Sequence, residues 1–257
     1  MAGRVAGDGH GVRLTPAAAG TSVPEPHPEP DMPLRSLFAA AVLVPAIAAG
    51  SGAGMRDDRA DAAVRAPLPV IGHACEGCEA VFDGMPATIP SRARIAPADQ
   101  PGAPMTVSGR VLDRSGRARA GVIVYAYQTD HAGRYPKPRA ASDAGAMRHG
   151  RLRAWVRSDA QGRYAFDTIR PGAYPGEDIP EHIHMQVVEP GCFTYFIDDV
   201  VFRDDPRLTP AQERQLVQGV GGAGLVVPRR SGDGVWQVER DIVLGQGVPG
   251  YRECRAR

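Results

Sequence analysis

Two histidines separated by one residue, His182 and His184, stand in the stretch PGAYPGEDIPEHIHMQVVEPG, which covers residues 171–191. If this stretch is a β-strand, side chains two residues apart point to the same face, and Ile183 points into the core on the other face. Two imidazoles on one face are unfavourable to bury unless they bind something, and a metal ion is the usual ligand. The spacing therefore predicts a metal site; the competing interpretation is an exposed strand with two surface histidines.

Other histidines and a carboxylate offer two ways to complete such a site. A zinc site would need a further nitrogen, sulfur or carboxylate ligand, and His131 and His149 lie in turn-rich stretches that could supply one. The spacing of Gly176, the histidine pair and Glu189 also fits the first motif of a cupin. The cupin pattern then fails, because Phe196 stands where its closing glycine should be and no histidine follows the pair.

Tyrosine oxygen offers a third way to complete the site. Tyr174 lies in TIRPGAYPG, just before the histidine pair, and Tyr135 lies in TDHAGRYP, directly after the strand candidate VIVYAYQTD. A tyrosine in a loop usually packs its ring and leaves its hydroxyl in water, so each of these two residues alone carries no distinctive signal.

Four segments together resemble one enzyme family. GRVLDRSG, YQTDHAGRY, SDAQGRYAFDTIRPGAYP and HIH, within roughly residues 108–203, are similar to motifs of the intradiol ring-cleavage dioxygenases, the catechol and protocatechuate dioxygenase family. The resemblance implies a β-sandwich and a non-haem Fe(III) ion held by Tyr135, Tyr174, His182 and His184. It also implies a reaction in which O₂ opens a catechol ring between its two hydroxylated carbons. By motif position Tyr174 is the catalytic tyrosine, which leaves the metal and takes a substrate proton, whereas Tyr135 stays bound.

The sequence departs from this family's pattern at one charged position. Ile179 stands three residues before His182, where the well-known enzymes have an arginine that stabilises charge on the substrate ring. The helical N-terminal dimer segment of catechol dioxygenases is not visible, so a homo-oligomer is left open. The resemblance implies a small aromatic diol and O₂ as partners. We expect Asp198 or Asp199 to hydrogen-bond a metal ligand, with a surface turn as the alternative.

A non-catalytic function is the main alternative to an enzyme. A secreted transthyretin-like sandwich that binds a metal or a partner would share GRVLDRSGRARAGVIV, so this stretch does not discriminate between the two functions. The two tyrosines and the HIH motif do discriminate, because a binding module has no need of them. The isoleucine at position 179 is the strongest argument for the binding module.

Short strand candidates dominate the sequence from residue 103 onward. They read APMTVSGRVLD, VIVYAYQTD, RLRAWVRSD, RYAFDTI, EHIHMQVVE, YFIDDVVF and VWQVERDIVL. Such strands, with glycine and aspartate turns, predict an all-β fold: an antiparallel β-sandwich core with a short helix and loop-rich termini. The helix should follow the cap residue Thr209, with Pro210 first and Gln212 completing a capping box, and end near Gly219. GVGGAG then follows a helix and lacks a following Lys-Ser/Thr, which predicts a loop.

Composition and charge are typical of a soluble globular protein. The 257 residues include 30 basic and 29 acidic side chains, and no basic block stands out, so nucleic acid is not an expected partner. We assign residues 1–31 to a disordered or mis-assigned extension and 32–53 to a signal peptide. Residues 54–100 form a linker and Cys-bearing segment, and 101–257 form the intradiol dioxygenase-like sandwich domain.

The segment that begins at Met32 predicts export. One arginine is followed by an apolar run at residues 37–49 and then by small residues. This run is shorter than the ~20 residues that cross a bilayer, so we expect a cleaved signal peptide, translation from Met32, a secreted or periplasmic protein and no stable membrane anchor. Outside the cytosol an even number of cysteines predicts two disulfides, with three pairings open. The four residues are Cys75, Cys78, Cys192 and Cys254.

Overall fold

A computed structural model describes residues 68–75, 77–137 and 144–254 of the chain, apart from the side chains of residues 144–146. The expected N-terminal extension (1–31), the signal peptide (32–53) and residues 54–67 of the linker lie outside the described residues. Within the described ranges, no helix is both long enough and apolar enough to cross a membrane.

Strands make up most of the regular structure in these ranges, as predicted. The α-helices are α1 (Ala144–His149) and α2 (Pro210–Val217), and a 3-10 helix covers Cys78–Phe82. The strands are β1 (Arg92–Arg94), β2 (Pro104–Leu112), β3 (Ile123–Gln128), β4 (Arg153–Arg157), β5 (Arg163–Ile169), β6 (His182–Glu189), β7 (Phe193–Phe202), β8 (Leu225–Val226), β9 (Arg229–Arg230), β10 (Trp236–Glu239) and β11 (Ile242–Val243). Each long strand, β2 to β7, coincides with a strand candidate, whereas VWQVERDIVL forms two short strands.

The strands form two sheets. One has the order β1-β5-β2-β10-β9, with β11 also paired to β2, and the other has the order β4-β3-β6-β7-β8. The long neighbours pair antiparallel, as expected, but β1, β8, β10 and β11 each pair parallel with a long strand. The sheets are therefore mixed at these short strands, around the core of antiparallel long strands that the sequence predicts. Parallel neighbours need a long connection instead of a hairpin, and local turn patterns reveal only the hairpins.

Side chains from both sheets form the main core. Val107 and Phe166 come from β2 and β5 of one sheet, and Ile183, Met185 and Val187 come from β6 of the other. Burial of every second residue is the pattern of a strand with one face in the core. The intervening side chains of β6 therefore point to the opposite face of their sheet.

The Cys-bearing segment covers this opposite face. A second apolar cluster forms there from Val81, Ile89, Ile123, Tyr125, Trp155 and Val188. The indole nitrogen of Trp155 donates a hydrogen bond of 2.6 Å to the carbonyl oxygen of Val81, and β1 joins the edge of the other sheet beside β5. Residues 78–94, which the sequence analysis assigned to a linker and Cys-bearing segment, thus contribute to both the packing and the sheets.

All four cysteines form disulfides, as predicted. Cys75 pairs with Cys78, and Cys192 pairs with Cys254. This selects one of the three pairings that the sequence left open. The second bond joins the start of β7 to the end of the described chain across 62 positions.

Three turns share the pattern Asp-x-x-Gly-Arg, at residues 113–117, 130–134 and 159–163. In each turn one aspartate oxygen accepts the backbone N–H groups two and four positions later. Each glycine has a φ between 74° and 82°, a left-handed conformation that glycine adopts without steric cost. The middle turn ends just before Tyr135, so it determines where the chain delivers this tyrosine.

Two glycines let the loops that carry Tyr135 and Tyr174 pack against each other. A Cβ atom at Gly133 would overlap the carbonyl oxygen of Ala173. On the other loop, the N–H of Gly172 donates to the carbonyl oxygen of Asp130 at 2.8 Å. The two tyrosine loops therefore share one close backbone contact.

The glycine-rich loop that follows helix α2 lies against β7. The helix begins with the predicted reciprocal capping box between Thr209 and Gln212, and GVGGAG is a loop, as predicted. A Cβ atom at Gly219 would overlap the carboxylate of Asp198. The fully buried guanidinium of Arg240 donates to the carbonyl oxygen of Gly221 at 3.0 Å, which holds the loop on the sheet.

Candidate metal centre

The outer face of β3 and β6 carries the histidine pair. Ile183 is 1% exposed in the main core, so His182 and His184 point to the opposite face, as the strand alternation predicts. Both histidines are half-buried, which argues against the interpretation of two surface histidines. Tyr127 on β3 is the direct neighbour of His184 in the sheet register.

Four side chains from separate segments bring their donor atoms together. The hydroxyl oxygens of Tyr135 and Tyr174 lie 2.5 Å apart. Nε2 of His184 lies 2.9 Å from the Tyr135 oxygen and 3.2 Å from the Tyr174 oxygen. Nε2 of His182 lies 3.2 Å from the Tyr174 oxygen and 3.2 Å from Nε2 of His184. The four predicted site residues form one cluster, and their role as metal ligands stays a prediction.

The Nδ1 atom of each histidine donates a hydrogen bond to an acceptor outside the cluster. Nδ1 of His182 donates to the carbonyl oxygen of Pro180 at 2.7 Å, and Nδ1 of His184 donates to Oδ1 of Asp199 at 3.0 Å. A neutral imidazole carries only one N–H, so both Nε2 atoms turn lone pairs towards the cluster. Two lone pairs that face each other repel unless a proton or a cation lies near both.

Burial shifts the pKa values within the cluster. It raises the pKa of Tyr135, and the hydrogen bond with Tyr174 raises it further; it also raises the pKa of Tyr174. Burial, and then the neighbouring His184, lower the pKa of His182. These shifts favour neutral phenols at Tyr135 and Tyr174 and a neutral imidazole at His182. A cation at the centre of the cluster opposes the effect of burial on the phenols and favours phenolates.

The donor set fits a hard transition-metal ion. Metal–ligand bonds of about 2 Å leave neighbouring ligand atoms roughly 3 Å apart, and the donor–donor distances of the cluster run from 2.5 to 3.2 Å. Two phenol oxygens with two imidazole nitrogens suit iron, whereas softer metals favour thiolates. The four cysteines are all in disulfides and offer no thiolate.

A bulge in the β6–β7 pairing brings two aspartates opposite His184. The register steps from Ile183 opposite Val200 to Met185 opposite Ile197, so residues 198 and 199 both face position 184. Asp199 makes the interaction expected of one of the two, because its carboxylate accepts the Nδ1–H of His184. The carboxylate could itself join the two histidines as a metal ligand, but its bond to Nδ1 puts it beyond the ring edge that faces the tyrosines.

Asp198 hydrogen-bonds the backbone of the glycine-rich loop. Its Oδ2 atom accepts the backbone N–H of Val220 at 3.0 Å and so ties the glycine-rich loop to β7. Burial raises the pKa of this carboxyl.

Tyr127 also contributes to the site, and this contribution was not predicted from the sequence. Its ring stacks on His184 with centroids 4.5 Å apart, and on its other face it stacks on His149 with centroids 3.8 Å apart. The alternation in VIVYAYQ carried the signal, because it puts Tyr127 on the face opposite the buried Val124 and Ala126. An aromatic residue in a strand candidate is read as core, so the contact was not expected.

The alternative ligands lie outside the cluster. The ring of Tyr127 separates His149 from His184, and Nδ1 of His149 lies 3.1 Å from the hydroxyl of Tyr125. His131 is exposed in its turn, and Glu189 accepts the hydroxyl of Tyr195 at 2.8 Å. Neither the third-histidine zinc site nor the cupin site is therefore formed.

A cleft of about 370 Å³ opens onto the cluster. Tyr174 and both histidines line it, whereas Tyr135 does not. Its other walls include Ile179, Phe196, Val201, Gln212, Gln215 and Leu216. A small molecule in the cleft could therefore contact Tyr174, whereas Tyr135 does not border the cleft.

Comparison with known proteins identifies the family. A family model described as Dioxygenase matches residues 87–226, more than half of the 257-residue chain. The chain belongs to the intradiol ring-cleavage dioxygenase family. The stretch matched by the dioxygenase model contains Tyr135, Tyr174, His182 and His184, as the motif resemblance led us to expect.

Two relatives are chains of protocatechuate 3,4-dioxygenase from Burkholderia cepacia. The β chain is 34% identical over 113 residues, which are 40% of this chain and 46% of the relative. The α chain is 31% identical over 140 residues, which are 54% of this chain and 70% of the relative. This dioxygenase-family chain thus spans about half the length of the β chain that it matches.

Solved structures of dioxygenases are also similar to the chain. The dioxygenase domain of a dioxygenase carbohydrate-binding protein fusion from Streptomyces sp. SirexAA-E is 25% identical, with 70% of this chain and 99% of that chain covered and a TM-score of 0.46. Hydroxyquinol 1,2-dioxygenase from Pseudomonas putida DLL-E4 is 26% identical, with 61% of each chain covered and a TM-score of 0.44.

Proposed function

We propose that the protein is a non-haem Fe(III) intradiol dioxygenase, which uses O₂ to open a catechol-type ring between its two hydroxylated carbons. The observation that carries the proposal is the convergence of two phenol oxygens and two imidazole Nε2 atoms at neighbouring distances of 2.5–3.2 Å. Membership of the intradiol family supports the reaction class. The cleft beside Tyr174 offers room for a small aromatic diol.

Tyr135, Tyr174, His182 and His184 would hold the ferric ion, which when bound would supply chelation of both catechol oxygens and activation of the ring towards O₂. Tyr174 is the internal base, because its side chain lines the cleft and its oxygen, as the phenolate that a bound cation would favour, can accept a proton from a catechol hydroxyl. Tyr135 lies outside the cleft lining and keeps its position during the reaction. The bond from Nδ1 of His184 to Asp199 keeps the opposite ring nitrogen directed at the cluster.

Oxygen uptake by iron-reconstituted protein with a panel of catechols tests this function. With ¹⁸O₂ the expected product is a ring-opened diacid that carries one labelled atom in each new carboxylate. Tyr174→Phe should lower the rate by about 10²- to 10⁴-fold, since it removes the internal base. Tyr251→Phe is the matched control, because the Tyr251 hydroxyl contacts Glu189 and not the cluster. An iron-loaded protein that chelates catechols but consumes no O₂ would favour the non-catalytic binding module.

We also propose that the protein acts outside the cytoplasm. The apolar run at residues 37–49 and the two disulfides support export. N-terminal sequencing of the protein from the producing cell should begin within roughly residues 48–54, as a cleaved signal peptide requires. Recovery of the intact N-terminus from the cytosol would count against export.

A further inference from the structure

The walls of the cleft narrow the substrate class, on the basis of the function proposed above. The apolar side chains that line it are Ile179, Phe196, Val201 and Leu216, and the amides of Gln212 and Gln215 add neutral polar groups. Among the residues that the structure describes, no lysine or arginine lines the cleft. A carboxylate on a substrate would therefore lose water there without meeting a cation, which is unfavourable.

The charged groups in the cleft wall are two carboxylates, and each already accepts a hydrogen bond. Asp199 accepts from Nδ1 of His184, and Asp198 accepts from the backbone N–H of Val220. Both carboxylates lie in the cleft wall and would repel an anionic substituent.

The guanidinium of Arg170, near the start of β6, is already bound to carboxylates. Arg170 donates to Glu181 at 2.6 Å and to both oxygens of Asp204 at 2.8 Å, and its guanidinium stacks on Phe202. A guanidinium that is bound to two carboxylates and lies over the rings of Phe202 and Trp236 is not available to a substrate.

A second cavity that Tyr174 lines is also acidic. Glu177, Asp178 and Glu181 line it, against Arg207. Arg207 is in turn paired with Asp205, with 3.6 Å between the charged atoms. This neighbouring cavity therefore disfavours anions as well.

We propose that the substrate is an uncharged catechol that carries an apolar substituent, and that Ile179 and Leu216 select it over catechols that carry a carboxylate. The apolar walls favour an alkyl or aryl group, since each buried methylene strengthens binding by about fourfold. Dihydroxybenzoates have the same ring and diol but place a charge where the wall offers no partner.

Binding of a matched pair of monophenols tests the selectivity without turnover. The purified protein, as isolated, is titrated with 4-ethylphenol and with 4-hydroxybenzoate and followed by ligand-observed NMR. We expect 4-ethylphenol to bind at least about tenfold more tightly, and the difference to narrow when salt screens the acidic groups. Equal affinity, or tighter binding of the benzoate, would overturn the proposal.

Two arginine variants test the selecting residue. Ile179→Arg adds a cation at a half-exposed position of the cleft wall, so it should strengthen binding of 4-hydroxybenzoate by about tenfold and weaken binding of 4-ethylphenol. Val227→Arg is the matched control, because Val227 is also exposed but does not line the cleft. The same response from both variants, or none from Ile179→Arg, would contradict a selecting role for Ile179.

Turnover separates this inference from the proposed function. With iron-reconstituted protein, kcat/KM for 4-ethylcatechol should exceed that for 3,4-dihydroxybenzoate at least about tenfold, in line with the monophenol affinities. A preference for the acid in O₂ uptake would overturn the substrate class while leaving the dioxygenase function intact. No O₂ uptake with any catechol, together with selective binding of 4-ethylphenol, would count against the function and support the selectivity of the cleft.

Discussion

The rings of Tyr127 and His184 lie stacked on neighbouring strands, with centroids 4.5 Å apart and planes inclined by 24°. The contact follows from the register of β3 and β6, in which the two residues are direct neighbours. Tyr127 is itself stacked on His149, so its ring is held from both faces. Together with the hydrogen bond that Nδ1–H of His184 donates to Asp199, this stack fixes the plane of the His184 imidazole.

Removal of the Tyr127 ring should weaken iron binding. Tyr127→Ala frees one face of His184, and loss of such an outer contact to a metal ligand typically lowers metal affinity about 10- to 100-fold. Tyr127→Phe keeps the ring and should bind iron within a few-fold of the wild type. Competition with a chelator measures both affinities, and equal iron affinity in the alanine variant and the wild type would argue against this support.

The two aspartates opposite His184 should separate into different roles. Asp199→Ala removes the acceptor of the His184 Nδ1–H and should lower iron affinity about 10- to 100-fold, while Asp199→Asn keeps an oxygen acceptor and should lose less. Asp198→Ala leaves the Val220 N–H without its partner and should lower the free energy of unfolding by about 1–3 kcal/mol. Iron titration and urea unfolding measure the two effects, and a larger loss of iron affinity in Asp198→Ala than in Asp199→Ala would reverse the assignment.

Glycines of the repeated turn provide a test of how the tyrosine loops are positioned. Gly133→Ala would collide with the carbonyl oxygen of Ala173, so it should push the Tyr135 and Tyr174 loops apart and reduce iron binding. Gly116 occupies the same turn position with a similar φ of 82°, and a Cβ atom there meets no atom within 4 Å. Gly116→Ala should therefore lose only about 1 kcal/mol of stability for its backbone conformation, with iron binding unchanged. Matching iron content in both variants would refute the loop contact.

The pH dependence of stability should report on Glu189. Burial raises the pKa of this carboxyl, against opposing hydrogen bonds from the hydroxyls of Tyr195 and Tyr251. The folded protein thus binds the proton more tightly than the unfolded chain does. The stabilisation that the protonated Glu189 carboxyl provides is therefore lost as the pH rises from the usual glutamate pKa of about 4.3 through the raised pKa of the folded protein. Glu189→Gln cannot ionise, so its Tm relative to the wild type should be higher at pH 7 than at pH 4. A difference in Tm that is independent of pH would contradict the raised pKa.

Local patterns in the sequence were enough to predict the long strands and part of the site. The alternation around His182 and His184, with Ile183 in the core, is a property of consecutive residues, and so is the capping box of α2. The parallel pairing of the short strands β1, β8, β10 and β11 was not predictable, because it depends on long connections and not on neighbouring residues.

The remaining site residues depend on contacts between distant segments. Tyr135 and Tyr174 could be selected only through motif resemblance, since a tyrosine in a loop has no distinctive local signal. The choice between Asp198 and Asp199 depends on a bulge in β7, which no periodicity in YFIDDVVF reveals. Tyr127 was missed because its ring serves both the second apolar cluster and His184.

The visible spectrum of the iron-reconstituted protein tests most directly that Tyr135, Tyr174, His182 and His184 bind Fe(III). Tyrosinate bound to Fe(III) gives a charge-transfer band, so the wild type should be red to burgundy, and His182→Ala or His184→Ala should lose iron and colour together. Tyr174→Phe should keep part of both, and once a catechol is bound the band should depend more on Tyr135 than on Tyr174. A wild-type protein that stays colourless after reconstitution with Fe(III), or that binds zinc or copper in its place, would contradict the ferric centre.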